Sequence, residues 1–110
     1  MCDLNYGEAL EAVKKGKLAT RKGWNGKGMF VFMRPTDELS IDFIINNVKS
    51  LPQSVKNYFK DQVVLGLNGD NKIKFKPYLC LKASDNSIVN GWVASQDDML
   101  SNDWQVLDIY

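Results

Sequence analysis

The feature that most constrains the fold is a change of apolar period after Gly16. Upstream of it, Tyr6, Ala9, Leu10 and Val13 recur at i, i+3, i+4 and i+7, the spacing that lines one face of a helix. Asn5 followed three residues later by Glu8 has the form of a capping box at the start of that helix. Downstream, the apolar residues come in short blocks separated by glycine and turn residues: Leu18 to Arg21, Met29 to Met33, Tyr78 to Lys82, Ile88 to Val93 and Trp104 to Ile109. Ile73 and Phe75 alternate with Lys72, Lys74 and Lys76 as a half-buried strand does, after the turn signal Asn68, Gly69, Asp70, Asn71. Pro77 marks a bulge or an edge before the next extended run.

Between the second and third strands the period returns to helical. Ser40 is placed to cap a helix carrying Ile41, Ile44, Ile45 and Val48, and Pro52 can open a further short helix through about Phe59. Elements of this kind sum to an α+β domain: a mainly antiparallel sheet of about five strands, an N-terminal helix and a helical insertion between strands two and three. A chain of 110 residues with 45% apolar content can bury one core, so a single domain over residues 1–110 is expected.

Composition narrows the function. Fourteen basic and 13 acidic side chains nearly cancel, which leaves no polycationic field to grip polymeric nucleic acid. Cys2 and Cys80 lie too far apart in sequence to suggest a disulfide framework or a zinc site, and they read as thiols of a reducing compartment. The N-terminal residues have no apolar h-region and no stretch approaches the roughly 18 residues that cross a membrane, so neither a leader nor a span is expected. The chain contains no histidine, the commonest general base and metal ligand, and Cys80 between Leu79 and Leu81 reads as a small buried hydrophobe. A binding protein without cofactor is expected, not an enzyme.

Two tryptophan-bearing segments stand out. Arg21, Lys22, Gly23, Trp24, Asn25, Gly26, Lys27 and Gly28 put cations, an indole and exposed amides in one loop, a combination that suits a nucleotide: amides and a guanidinium for phosphate, an indole face for a purine. The loop has neither the dinucleotide fingerprint nor the P-loop spacing, and a hairpin whose tryptophan folds into the core has the same sequence. In the second segment, Gly91 to Met99, alternation sets Trp92 and Val93 on opposite faces. With Val93 inward, Trp92 faces a groove; with Trp92 inward, the binding reading loses half its support. Asp97, Asp98 and Asp103 admit three accounts: a magnesium or calcium site, a helix cap with solvated neighbours, or acceptors for ribose hydroxyls or an adenine amine.

These segments resemble the second family of phage Thoeris anti-defence proteins. The resemblance rests on Asn5 to Leu10, on Arg21 to Met29, on Gly91 to Leu100 and on Asp103 with Trp104, in this order, with the region from about 36 to 72 long compared with shorter members. It implies a sponge of the host bacterial cytoplasm that binds a cyclic ADP-ribose-type signal without cleaving it. It further implies homotetramers with pockets where protomers meet, and in some members cyclic oligonucleotide signals held at separate sites. By the same resemblance, stacking on the base falls to Trp24 and Trp92, and polar contacts fall to Arg21, Asn25, Lys27, Ser95, Gln96 and Asp97. The two indoles are thereby expected to clamp one purine between them. The alternative is a small phage structural or regulatory module in which Trp24 and Trp92 anchor a protein interface.

Overall fold

The computed structural model describes residues 3–64 and 71–107. Cys2 and the turn residues Asn68, Gly69 and Asp70 lie outside them, as does the end of the last strand beyond Leu107. The chain divides into two compact units, one of residues 1–35 with 77–110 and one of residues 36–76.

The first unit opens with helix α1 (Tyr6–Lys14), closed at its start by the expected capping box: Glu8 N–H donates to Asn5 Oδ1 at 2.8 Å, and Asn5 N–H donates to Glu8 Oε1 at 3.0 Å. Strand β1 (Leu18–Arg21) is followed by a single 3-10 turn at Lys22–Trp24 and by β2 (Phe30–Arg34). After the insertion come β5 (Tyr78–Lys82), β6 (Ile88–Asn90), the short helix α4 (Gln96–Leu100) and β7 (Trp104–Leu107). These five strands form one antiparallel sheet in the order β6-β5-β2-β1-β7. Ala9 and Val13 of α1 pack with Ala19 of β1, Val31 of β2 and Trp104 of β7 into a core from which water is excluded, each at most 3% exposed. A residual cavity of about 10 Å³ between helix and sheet is apolar, lined by Tyr6, Leu10 and Leu79 among others. Its volume is at the lower limit for one water and its lining offers no polar partner to hold one, so it is a packing gap.

The second unit is the helical insertion, with a hairpin of its own. Strand β3 (Asp37–Ser40) leads into α2 (Ile41–Asn47), which Ser40 caps through the Phe43 amide at 3.1 Å, and α3 (Gln53–Val64) follows just after Pro52. Helix α3 runs well past Phe59, further than the apolar spacing after Pro52 suggests. Ile41 and Ile44 are fully buried, so Ile44 packs within its own chain, whereas Tyr58 of α3 is 58% exposed. Strand β4 (Lys72–Phe75) pairs with β3 in a separate two-stranded sheet and takes no part in the main one. Sequence alone misses β3 because Asp37, Glu38 and Ser40 surround a lone apolar Leu39. Its pairing supplies the reason for the strand: Leu39 lies opposite Ile73 and Glu38 opposite Lys74, one apolar and one charge-complementary cross-strand pair.

Strand β6 is shorter than its apolar run. Gly91 at φ +71° takes the left-handed conformation that a side chain disfavours, and the ladder stops at Asn90. One further bond survives the turn, from Trp92 N–H to the Leu79 carbonyl at 2.8 Å.

Ile44→Ala is expected to cost about 2–5 kcal/mol, as other large-to-small changes at buried sites do. Trp24, Trp92 and Trp104 all belong to the first unit, so tryptophan fluorescence reports that unit while far-ultraviolet circular dichroism reports both. If the chain unfolds as one domain, the variant's lowered midpoint is the same by both probes. Two separate midpoints would show that the units melt independently.

Candidate functional site

The loop between β1 and β2 is anchored at both ends. Thr20 Oγ1 donates to the Met29 carbonyl at 2.7 Å and Lys82 Nζ to the Gly28 carbonyl at 3.1 Å, while Asn25 closes the 3-10 turn through its N–H to the Lys22 carbonyl at 2.9 Å. Asn25 and Lys27 are exposed on this loop, and Trp24 is half-buried at its root. The second segment runs from Gly91 into α4, where Ser95 is the N-cap: its Oγ accepts the Asp98 N–H at 3.0 Å, and Asp98 Oδ2 accepts the Ser95 N–H at 3.1 Å. Ser95, Gln96 and Asp97 are exposed beside this cap.

The fold brings the two segments together. Trp24 and Trp92 meet with ring centroids 6.4 Å apart at 89°, and Trp24 meets Trp104 at 5.3 Å and 78°. Tyr6 lies 5.6 Å from Trp104 on its other side. Such edge-to-face contacts favour the ring quadrupoles and stabilise by about 0.5–1.5 kcal/mol each beyond burial. Trp104 is 1% exposed and spends its indole N–H on the Asp98 carbonyl at 2.9 Å.

This geometry corrects one expectation and decides between two alternatives. Near-perpendicular rings in mutual contact cannot sandwich a flat base between them; Trp24 and Trp92 form a corner and no clamp. Val93 is not inward, being 85% exposed, and Trp92 is the residue that leans on the core, half-buried beside Leu79 and Trp24, which is the alternative under which Trp92 gives the binding reading less support. The left-handed turn at Gly91 re-aims the chain there, so strand alternation does not carry through to residues 92 and 93.

Arg21 is engaged within the chain. Its guanidinium, 10% exposed, donates from Nε to Asp103 Oδ1 at 2.9 Å, from Nη1 to Asp98 Oδ1 at 2.7 Å and from Nη2 to Ser101 Oγ at 2.7 Å. Longer contacts of 3.5 Å to Asp97 Oδ2 and Asp103 Oδ2 engage the remaining donors. The three aspartates considered for a metal do converge, but on a guanidinium. Among the described residues no group of three or more His, Cys, Asp or Glu side chains is disposed to hold a metal ion. Cys80 is fully buried, its Sγ 3.5 Å from Asn90 Oδ1.

The charges answer to one another. The hydrogen bond from Arg21 draws the Asp103 carboxyl below its ordinary range, against burial and with help from the Gly23 amide. For Asp98, burial is the largest influence and pushes upward, yet the Ser95 amide and Arg21 together outweigh it and leave the carboxyl lowered. Arg21 is raised, first by its hydrogen bond to Asp103, against burial and with Asp98 adding to the effect. Burial, and then the charge of Asp98, raise Tyr6.

Of the eight residues singled out from sequence, Trp24, Trp92, Asn25, Lys27, Ser95, Gln96 and Asp97 lie on the two neighbouring segments, and Arg21 joins those segments from within. Asp103, Ser101 and Trp104 complete the arrangement, and sequence spacing does not announce them as partners of Arg21 and Trp24. The adjacent pair Asp103 and Trp104 is the only local sign of them.

A family model described as "Thoeris anti-defense 2-like domain" matches residues 4–107 of the chain. "Thoeris anti-defense 2" of Bacillus phage SP01 is 34% identical to it over 104 residues, covering 94% of each protein.

Two outcomes are expected from the Arg21 network. Arg21→Ala removes the counter-charge of the buried Asp98 and the part-buried Asp103, leaving them the Ser95 and Gly23 amides. It should destabilise by about 2–3 kcal/mol, more than the loss of a surface ion pair, as measured by chemical denaturation. Because the folded carboxyls of Asp98 and Asp103 lie below their unfolded value of about 3.9, the unfolded chain binds protons first as pH falls. The stability these groups contribute is therefore complete above about pH 5 and is lost as pH falls through 3.9 toward the folded values. Asp103→Asn should flatten this acid limb; an unchanged slope would show that Asp103 is not part of the linkage.

Proposed function

The chain belongs to the Thoeris anti-defense 2-like family and is thus a phage-type anti-Thoeris protein; on that premise we propose that it acts by binding a small-molecule nucleotide signal and withholding it, without catalysis. The ligand is a cyclic ADP-ribose isomer of the glycocyclic kind, and the site is the corner of Trp24 and Trp92. One observation carries the reading: two indoles from opposite ends of the chain, each packed in part against the core, meet at 6.4 Å beside exposed Asn25, Lys27, Ser95, Gln96 and Asp97. The purine lies flat on one indole, supported by the other, while amides of the glycine loop and Lys27 face the pyrophosphate. Ser95, Gln96 and Asp97 offer the hydroxyl, amide and carboxylate groups that recognise ribose and base edges. Arg21 contributes by holding the corner and has no direct contact with phosphate.

The polar residues around the corner are exposed, and tight binding of a small ligand needs most of that ligand's area covered. A second protomer is the proposed cover, in a homotetramer acting in the host cytoplasm. Val93 at 85%, Leu100 at 77% and Met99 at 40% exposure flank the candidate segment and offer the apolar area such a contact requires. Withholding the signal from a receptor calls for nanomolar affinity, about −12 kcal/mol, which a single half-open face does not supply. Among the described residues no helix is long and apolar enough to cross a membrane.

A glycocyclic ADP-ribose isomer is expected to raise the melting temperature, since a ligand held by the native state alone stabilises it. Trp24→Ala and Trp92→Ala should each weaken binding by about 1–3 kcal/mol, roughly fivefold to 150-fold, measured by titration calorimetry. Heating the complex should release the signal intact by mass spectrometry. A cleaved product would make the protein an enzyme; wild-type affinity in both variants would move the site elsewhere; and no response to any cyclic nucleotide would favour an interface anchored by the tryptophans on another protein.

A further inference from the structure

The 3-10 turn that carries Trp24 has no cap of its own. Arg21 precedes it in extended conformation and makes no side-chain bond to its free N–H groups. Both of the first two donors are satisfied instead by Asp103: the Lys22 N–H reaches its backbone carbonyl at 3.1 Å, and the Gly23 N–H reaches Oδ2 of its carboxylate at 2.8 Å. A carboxylate at the start of a helical turn is the arrangement an N-cap supplies, here delivered from the far end of the chain. The approach is close. A Cβ at Gly23 would stand 2.9 Å from Asp103 Oδ2 and 3.2 Å from Arg21 Nη2, so a side chain there would have to displace the end of the carboxylate.

The same carboxylate turns its other oxygen to Arg21 Nε at 2.9 Å, Arg21 Nη1 reaches Asp98 Oδ1 at 2.7 Å, and Asp98 Oδ2 receives the Ser95 amide at 3.1 Å. Two carboxylates and one guanidinium thus form a continuous charge-assisted link from the amide before Trp24 to the amide that opens α4. Ser101 adds a third tie, accepting from Arg21 Nη2 at 2.7 Å and donating to the Asp97 carbonyl at 2.6 Å. Charge-assisted bonds of this length are about twice as strong as neutral ones. The two segments of the candidate site are therefore held in register before any ligand arrives, which lowers the ordering cost of binding.

We propose that Asp103 is a positioning residue: by capping the Trp24 turn and, through Arg21 and Asp98, joining it to the Ser95 cap, it holds the two binding segments as one preformed corner. This rests on the reading that the Trp24 and Trp92 corner binds the signal. The test uses the full chain with Asp103→Ala, which removes both functions of the carboxylate, and Asp103→Asn, which keeps an oxygen for the Gly23 amide but loses the charge. Three quantities are read on folded protein: the coupled indole band in circular dichroism, quenching of tryptophan fluorescence by acrylamide, and calorimetric affinity for a glycocyclic ADP-ribose isomer. Asp103→Ala is expected to lose the indole coupling, to quench more readily and to bind about tenfold more weakly, within the range exerted by residues that do not touch a ligand. Asp103→Asn should recover part of each. A lowered melting temperature with indole band, quenching and affinity all unchanged would reduce Asp103 to an ordinary stabilising residue and overturn the proposal. Should Asp103→Ala fail to fold, Gly23→Ala, which displaces the carboxylate without removing it, must reproduce the same losses or the proposal falls. If the parent itself binds no cyclic nucleotide, the functional reading fails, while the indole band and quenching still decide whether Asp103 holds the corner.

Discussion

Arg21 is the residue on which the candidate site depends. A guanidinium taken out of water is costly unless its donors find acceptors and its charge a counter-charge. Here strand β1 delivers it to a place where Asp98, Ser101 and Asp103 converge, at distances between 2.7 and 2.9 Å for its shortest bonds. Those acceptors come from α4 and the stretch between α4 and β7, whereas the guanidinium comes from the first hairpin of the sheet. The ion network thereby fixes the position of the C-terminal helical turn against β1, and the β1 and β7 pairing that sets Arg21 opposite Trp104 places the groups in reach.

The aromatic contacts follow from the same placement. Trp104 is a core residue and its indole N–H is bound to the Asp98 carbonyl, so its plane is set by the helix that Arg21 holds. Trp24 stands on a turn capped by Asp103, and Trp92 leaves the sheet at Gly91 to meet it. A core indole, a rim indole and an ion network thus form one unit, with polar groups and glycine-loop amides around it. That is the chemistry a nucleotide asks for: a flat apolar surface bordered by hydrogen-bonding groups. Val93 and Leu100, on the segment that carries Trp92 and on α4, are exposed.

Local elements were largely legible. The capping boxes at Asn5 with Glu8 and at Ser95 with Asp98, the Ser40 cap and the strands of the main sheet follow from spacing over three or four residues, because they are made by groups that are neighbours in sequence. The elements that escaped were those made by distant partners. Strand β3 is polar and exists through its pairing with β4, and α3 continues beyond its apolar signal. The inward lean of Trp92 hangs on the backbone turn at Gly91, a conformation that alternation counting does not contain.

The amino-acid sequence by itself determined the α+β class, the helical insertion, the absence of histidine chemistry and the family, since composition, period and motif order are properties of the chain as written. Only the tertiary structure decided what Arg21 faces, how the two indoles meet and which carboxylate lies over Gly23. The physical reason is range. Arg21 and Asp103, like Trp24 and Trp92, belong to opposite ends of the chain, and whether a cation meets a phosphate or a carboxylate depends on which groups the sheet register carries to within about 3 Å of it.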